Sequence, residues 1–141
     1  MWELVAGSHT GILSTVRRDG APVAVPMWFV VADRTVFVRT LAASAKAASV
    51  RRDPRVCFTV EHGRAWAELR AAVIHGRAAI VGDAERCAGI DALFDAKYAA
   101  FRTPQTVPDA TRRHYDRARV HIAIHPAGRP LTWDNAKIRA R

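Results

Sequence analysis

Apolar residues recur at two spacings along this chain. From residue 10 to 40, and again from 55 to 82, short runs rich in valine, isoleucine, phenylalanine and threonine are broken every few positions by turn residues, the pattern of short β-strands. "TGILSTVR" (10–17) reads as a first strand and "RDG" (18–20) as a tight hairpin turn. "APVAVPMWFVV" (21–31) reads as a second strand, "ADR" as another turn, and "TVFVRT" (35–40) as the third strand of a meander. Pro22 and Pro26 each remove a backbone donor, so the second strand needs an edge or an irregularity.

The spacing then changes. Ala42 to Arg52 has high helix propensity and is stopped by Asp53-Pro54. "RVCFTVE" (55–61) returns to strand. The β-rich run 65–82 is interrupted by Gly76 and predicts two strands, or one strongly bent strand at a barrel corner. Residues 83–101 predict a helix capped by Asp83, with Ile90, Leu93, Phe94 and Tyr98 at helical spacing. A loop (102–108), a short helix capped by Asp109 (109–118), a strand (119–126) and an irregular tail or short final strand follow. The expected fold class is mainly β with minor α. It is an antiparallel barrel of six to seven strands, with a short helix after strand three and a helical insertion before the last strands.

Composition narrows the setting. A length of 141 residues and a hydrophobic half fit one domain, 1–141, with enough apolar material for a core. No run approaches a membrane span and the N-terminus lacks a basic lead, so the expectation is a cytoplasmic chain with no membrane partner. Cys57 and Cys87 fit no metal spacing and read as buried thiols in a reducing compartment. A net charge of +9 invites an anionic partner without choosing one.

The charge gathers around one corner. Arg39 and Thr40 end a strand, and Ser44 and Lys46 open the next helix. Helix N-termini offer free N–H groups, and a guanidinium, an ammonium and two hydroxyls beside them suit a phosphate. Ala42, Ala43 and Ala45 are small enough to let an anion approach the backbone. The alternative is a solvated, alanine-rich surface helix. No Gly-rich P-loop is present.

Four motifs in order carry a resemblance over residues 10–81: the Asp19-Gly20 hairpin, Pro-x-Trp-Phe at 26–29, Arg-Thr-x-x-x-Ser-x-Lys at 39–46, and "RRDPRV" at 51–56. "LTWDNAKI" near the end adds to it. This arrangement resembles the flavin-binding split-barrel superfamily, the pyridoxamine 5′-phosphate oxidase-like proteins, and within it the branch with deazaflavin-dependent (coenzyme F420) reductases. The resemblance implies a split β-barrel with its cofactor, coenzyme F420 or FMN, held between the two subunits of a homodimer. It implies that Arg39, Thr40, Ser44 and Lys46 hold the cofactor phosphate. The strand Pro26, Met27, Trp28 and Phe29 would run along the ring, and Trp133 would approach it across the dimer interface. Some deazaflavin binders carry an arginine where this chain has Ser44, and family members often carry asparagine at the place of Ser49.

The remaining residues read more plainly. Trp66 is expected in the core. His121 and His125, four apart on a strand, are expected to face outward as polar residues, with no third metal ligand beside them. Arg112, Arg113, Arg117 and Arg119 form a basic band, a surface feature or a partner for an anionic tail on a cofactor. No paired carboxylates and no nucleophile–base spacing appear, so no catalytic side chain is named and the chemistry is expected to be the cofactor's. The implied function is hydride transfer between the deazaflavin and a small unsaturated acceptor. An FMN-dependent oxidase or reductase is the alternative, and a non-catalytic cofactor- or haem-binding barrel a further one. Nucleic-acid binding ranks last, for want of a helix-turn-helix or a strand-borne stacking pair.

Overall fold

The computed structural model describes residues 1–102 and 107–138. Eight antiparallel strands form one curled sheet: β1 (Gly11–Val16), β2 (Pro22–Met27), β3 (Phe29–Ala32), β4 (Thr35–Leu41), β5 (Arg55–His62), β6 (Arg70–Ile80), β7 (Arg119–Pro126) and β8 (Leu131–Asp134). The helices are α1 (Trp2–Gly7), α2 (Ala45–Arg52), α3 (Ala84–Tyr98) and α4 (Asp109–Tyr115). Strand order is β2-β1-β5-β6-β7-β4-β3, with β8 added against β6. This is the mainly β fold of a split barrel.

Closure follows from one residue. β2 pairs with β1 and β3 with β4, so the two lie at opposite ends of the sheet path, yet only Trp28 separates Met27 from Phe29. The sheet must curl until its ends meet there. The expected single strand 21–31 is therefore two strands, and the expected meander is two hairpins, β1–β2 and β3–β4. The first turns at Asp19-Gly20, where Gly20 takes φ 84°, and the second at Asp33 and Arg34, with φ of 49° and 57°. Positive φ at both central residues gives the twist that tight hairpins need. The split raises the count above six or seven, so the short helix follows the fourth strand.

Residues 70–80 form one strand whose neighbour changes. Arg70–Val73 pair with β8 and Gly76–Ile80 with β7. Gly76 marks the change because a Cβ there would lie 2.6 Å from the carbonyl oxygen of His125. Before it, Trp66–Glu68 form a 3-10 turn rather than strand, and Trp66 is 69% exposed, not core. The tail supplies β8 and a 3-10 turn at Asn135–Lys137, and residues 139–141 lie outside the described ones. α1 has no counterpart in the sequence reading.

Two cores result from strand alternation. Leu13, Phe29, Val36, Val38, Phe58, Ile74, Ile122 and Ile124 fill the barrel. The opposite face of β3, β4 and β7 presents Val30, Phe37 and Ala123, on which α3 lays Ile90, Phe94 and Tyr98. Leu93, at the same helical spacing, is 39% exposed. Asp83 caps α3 as expected, its Oδ1 accepting from the Glu85 N–H at 3.1 Å. Asp109 is instead the first residue of α4, preceded by Pro108, and caps nothing. The expected loop 102–108 lies partly outside the described residues, at 103–106. Cys57 and Cys87 are free and half-buried rather than buried. Among the described residues no helix is long and apolar enough to cross a membrane.

Candidate functional site

The corner between β4 and α2 is built by hydroxyl chemistry. The Ser44 N–H donates to the Leu41 carbonyl at 2.9 Å, and its Oγ accepts from the Ala47 N–H at 3.1 Å, capping α2. Thr40 Oγ1 donates to the same Ser44 oxygen at 3.0 Å. Ser44 thus has both lone pairs taken and its proton left to give. The first-turn amides of Ala45 and Lys46 add two donors with no helical acceptor. The cations divide by task. Arg51 Nη1 donates to the Ala42 carbonyl, Arg52 Nη2 to the Val16 carbonyl, and Arg55 pairs with Asp53 at 2.7 Å. Asp53 is held down at about 2, chiefly by the side-chain hydrogen bond from Arg55. Only Arg39 and Lys46 of this stretch reach the adjoining cleft.

That cleft encloses about 1120 Å³. Pro26, Met27 and Trp28, from the end of β2 and the seam after it, form one apolar wall, with Phe94 of α3 beside them. Trp28 is fixed by stacking on Tyr98, centroids 4.3 Å apart and planes 4° from parallel. Tyr98 is in turn fixed through its hydroxyl, which accepts from the Phe29 N–H at 2.9 Å and lies 2.8 Å from the carbonyl oxygens of His9 and Phe29. Burial raises the Tyr98 phenol above its ordinary value, against the lowering effect of the Phe29 hydrogen bond. Lys97 donates to the Phe29 carbonyl at 2.9 Å, and burial lowers its ammonium to about 8.

Arg39 is held from behind. Its Nη1 donates to Asp91 Oδ1 at 2.8 Å, and its guanidinium lies 4.2 Å from the Phe94 ring centroid. His121, paired directly opposite Arg39 across β4–β7, places Nε2 2.8 Å from the same Asp91 oxygen. Burial opposes ionisation of Asp91, but the hydrogen bonds from His121 and Arg39 outweigh it and hold the carboxyl below its ordinary value. His121 is therefore buried under α3, not solvated as expected, while His125 is exposed.

Another part of the lining comes from the segment after α3. Arg102, His114, Arg117 and Arg119 supply it. The Ala42 N–H donates to the Ala118 carbonyl at 2.9 Å, and Leu41 pairs with Arg119, which fixes this segment beside the 40–44 corner. Of the expected basic band, Arg117 and Arg119 thus belong to the cleft. Arg112 is exposed and pairs with Asp109 at 3.1 Å, and Arg113 is exposed. No aspartate or glutamate lines the cleft among the described residues. A concave wall with one sign of charge concentrates anions.

The structure thus brings together Pro26, Met27, Trp28, Arg39, Thr40, Ser44 and Lys46. Phe29 stands behind the wall, fully buried against Phe58 at a centroid distance of 4.8 Å. Trp133 lies on β8, 58% exposed, in a separate shallow groove with Met1, Leu4 and Ile138. Sequence reasoning did not place Asp91, Arg102 or His114 here, and it read Phe94 and Tyr98 as packing only. The described residues contain no group of three His, Cys, Asp or Glu able to hold a metal.

Comparison with known proteins agrees with this fold. A family model described as pyridoxamine 5′-phosphate oxidase matches residues 1–127. Among solved structures, the conserved hypothetical protein Rv2991 of Mycobacterium tuberculosis is 32% identical, with a TM-score of 0.78 over 94% of this chain and 81% of that one. An FAD-binding protein of Mesorhizobium loti is 17% identical, with a TM-score of 0.70 over 93% and 89%. An F420 reductase is 23% identical, with a TM-score of 0.65 over 89% and 92%. No curated protein matches the sequence significantly.

Proposed function

The chain belongs to the pyridoxamine 5′-phosphate oxidase family, and we propose that its cleft holds deazaflavin (coenzyme F420) and moves hydride between it and a small unsaturated acceptor. One observation carries the reading: an apolar, Trp28-bearing wall and a phosphate-suited corner, 11 residues apart in sequence at their nearest (Trp28 and Arg39), line one cleft of about 1120 Å³.

The residues fit such a group. The corner offers the Ser44 proton, the Ala45 and Lys46 amides and the Lys46 ammonium, and Lys46 has no hydrogen-bond or ion-pair partner among the described residues. That is a donor set for a tetrahedral anion. Ala42 and Ala43 leave room for it. When bound, a flavin or deazaflavin supplies the hydride chemistry. The chain's own part is to anchor the phosphate at Ser44 and Lys46, to cover one ring face with Met27 and Trp28, and to exclude water there. Arg39 places a fixed positive charge in the same cleft. No side chain need move a proton.

FMN is the second reading, favoured by Ser44. Its hydroxyl at the helix cap serves a terminal phosphate monoester, and no arginine stands in its place. In either case we place two copies of the chain together, supported by the exposed Leu131, Trp133 and Ile138 around β8.

Titration of the purified protein with each cofactor, followed by cofactor fluorescence, tests the reading. The expected result is micromolar or tighter binding that Lys46→Ala weakens about ten-fold or more, the loss of one charge-assisted contact. Turnover with an enone acceptor then separates a reductase from a binding protein. Binding of neither cofactor would overturn the proposal. Sedimentation at micromolar concentration reads the expected dimer.

A further inference from the structure

Arg39 meets the cleft with its charge already partly answered from behind. Its Nη1 donates to Asp91 Oδ1 at 2.8 Å, and the Phe94 ring covers the guanidinium at 4.2 Å. The same Asp91 oxygen lies 2.8 Å from His121 Nε2. An ionised carboxylate only accepts, so Nε2 carries a proton whether the ring is neutral or charged. The proton that charges the ring therefore sits on Nδ1. Among the described residues Nδ1 makes no hydrogen bond, and no buried side-chain nitrogen lacks one, so Nδ1 reaches solvent and can exchange that proton.

The three groups differ in what they can change. Arg39 keeps its charge at every working pH. Burial opposes ionisation of Asp91, but the hydrogen bonds from His121 and Arg39 hold its carboxyl below the ordinary value, so it stays charged near neutrality. Histidine is the side chain whose charge ordinarily changes between about pH 5 and 8. With His121 neutral, Asp91 answers Arg39 alone. With His121 charged, Asp91 is shared between two cations, and Arg39 has more charge to offer the cleft it lines. The other groups on this face do not duplicate the effect. Arg119, two residues back on β7, and Arg86 of α3, 5.3 Å from the Phe37 centroid, keep their charge. Asp95, one turn beyond Asp91, pairs with Arg102, and Cys87 Sγ donates to the Val81 carbonyl.

We propose that Asp91 and His121 are positioning residues for Arg39 and couple anion binding in the cleft to protonation of His121 at Nδ1. The anion binds more tightly when His121 is charged, and the bound anion in turn favours that proton. The proposal rests on the cleft being the anion site read above and adds what regulates it: pH, acting through a histidine behind the wall.

Sulfate is the probe, because its own charge is fixed across this range. Its affinity is measured by calorimetry at about pH 5.5 and about pH 8.5, at constant ionic strength, for wild type, His121→Gln, His114→Gln and Asp91→Asn. Glutamine keeps an N–H for Asp91 and does not titrate. His114 lines the cleft itself and is the control. The wild type should bind about ten-fold more tightly at the lower pH; His121→Gln should lose most of that gain and His114→Gln should keep it. Asp91→Asn separates charge from support. It leaves Arg39 unanswered, so at about pH 8.5 it should bind sulfate several-fold more tightly than the wild type, whereas support alone predicts weaker binding at both pH values. His121→Gln decides by itself if Asp91→Asn does not fold. Four outcomes overturn the proposal: the same pH dependence in wild type and His121→Gln, a gain lost in His114→Gln instead, weaker binding by Asp91→Asn at both pH values, or no sulfate binding at about 50 mM at either. The phosphate of FMN titrates itself, so with FMN the affinity ratio of wild type to His121→Gln is read and should change by the same factor. If no flavin binds while sulfate shows the coupling, the cofactor reading falls and the coupling stands. Flavin binding with a flat ratio keeps the cofactor reading and ends the coupling.

Discussion

Replacing Asp91 with asparagine removes one charge from a three-residue knot and leaves its shape. Asp91 Oδ1 receives both the Arg39 Nη1 and the His121 Nε2 at 2.8 Å. A hydrogen bond to a charged group contributes about 1.5–3 kcal/mol when it is well buried. The two donors are largely covered, with side chains 18% and 11% exposed, but the carboxylate is 44% exposed, so solvent screens part of that. An asparagine oxygen still accepts one of the two bonds. The expected loss is therefore about 2 kcal/mol at pH 7, read as a lower urea midpoint at unchanged slope, or a melting temperature lower by about 6 °C. The sign of its pH dependence is fixed by Asp91 titrating below its ordinary value in the folded chain. The folded state binds that proton less readily than the unfolded state. The stabilisation is complete above the ordinary carboxylate range and is lost as pH falls through the folded value. Wild type and variant should therefore differ most at neutral pH and converge in acid. A difference below about 0.5 kcal/mol at pH 7, or one as large in acid as at neutrality, would show that Asp91 does not hold Arg39 and His121 through its charge.

Three further outcomes follow from single contacts. Tyr98→Phe leaves the buried Phe29 N–H without its 2.9 Å acceptor and should cost about 1–3 kcal/mol in urea unfolding, while the ring stack on Trp28 keeps its near-ultraviolet dichroism. Gly76→Ala drives a Cβ to 2.6 Å from the His125 carbonyl oxygen, so β6 and β7 must separate; a loss of about 2 kcal/mol or more is expected, and a neutral result would place the strands differently. Lys97 titrates at about 8 in the folded chain against an ordinary 10.5, so its part of the stability rises as pH climbs from about 8 to 10.5. Lys97→Met should abolish that rise in a melting-temperature series across the alkaline range.

Local chemistry was the legible part of this chain. Short β-branched and apolar runs bounded by turn residues located β1, β4, β5 and β7 within a residue or two. The Arg39–Lys46 corner was legible for the same reason: a strand end, a serine cap and a helix start are neighbours in sequence. What stayed hidden depends on pairing. The run from Val23 to Val31 is apolar throughout, and nothing in it says that Met27 and Phe29 pair with strands at opposite ends of the sheet. The outer face of β7 reads as solvated because no local signal tells that α3 will lie on it. His121 is buried for that reason, and Asp91, 30 residues away, becomes its partner. Trp66 misled in the other direction: β-rich surroundings suggested a core strand, but the chain turns in a 3-10 helix and leaves the ring outside.

Trp28 connects the fold to the cleft. The ladder of β2 ends at Met27 and that of β3 begins at Phe29, so Trp28 has no cross-strand partner on either side. Its position at the meeting of the two sheet ends is forced by topology, and its peptide is free of sheet pairing for the same reason. Backbone groups of that kind need water or a ligand. The residue also lines the cleft, with its indole braced on Tyr98. On the cofactor reading proposed above, an aromatic ring with polar edges would meet both needs, covering the apolar wall while offering donors and acceptors to the backbone of Trp28. A barrel that closed by continuous pairing would offer only side chains at this point. On the same reading, the seam would belong to the binding wall rather than being a defect beside it, and the corner at Ser44 and Lys46 would set how far along that wall a ligand can lie.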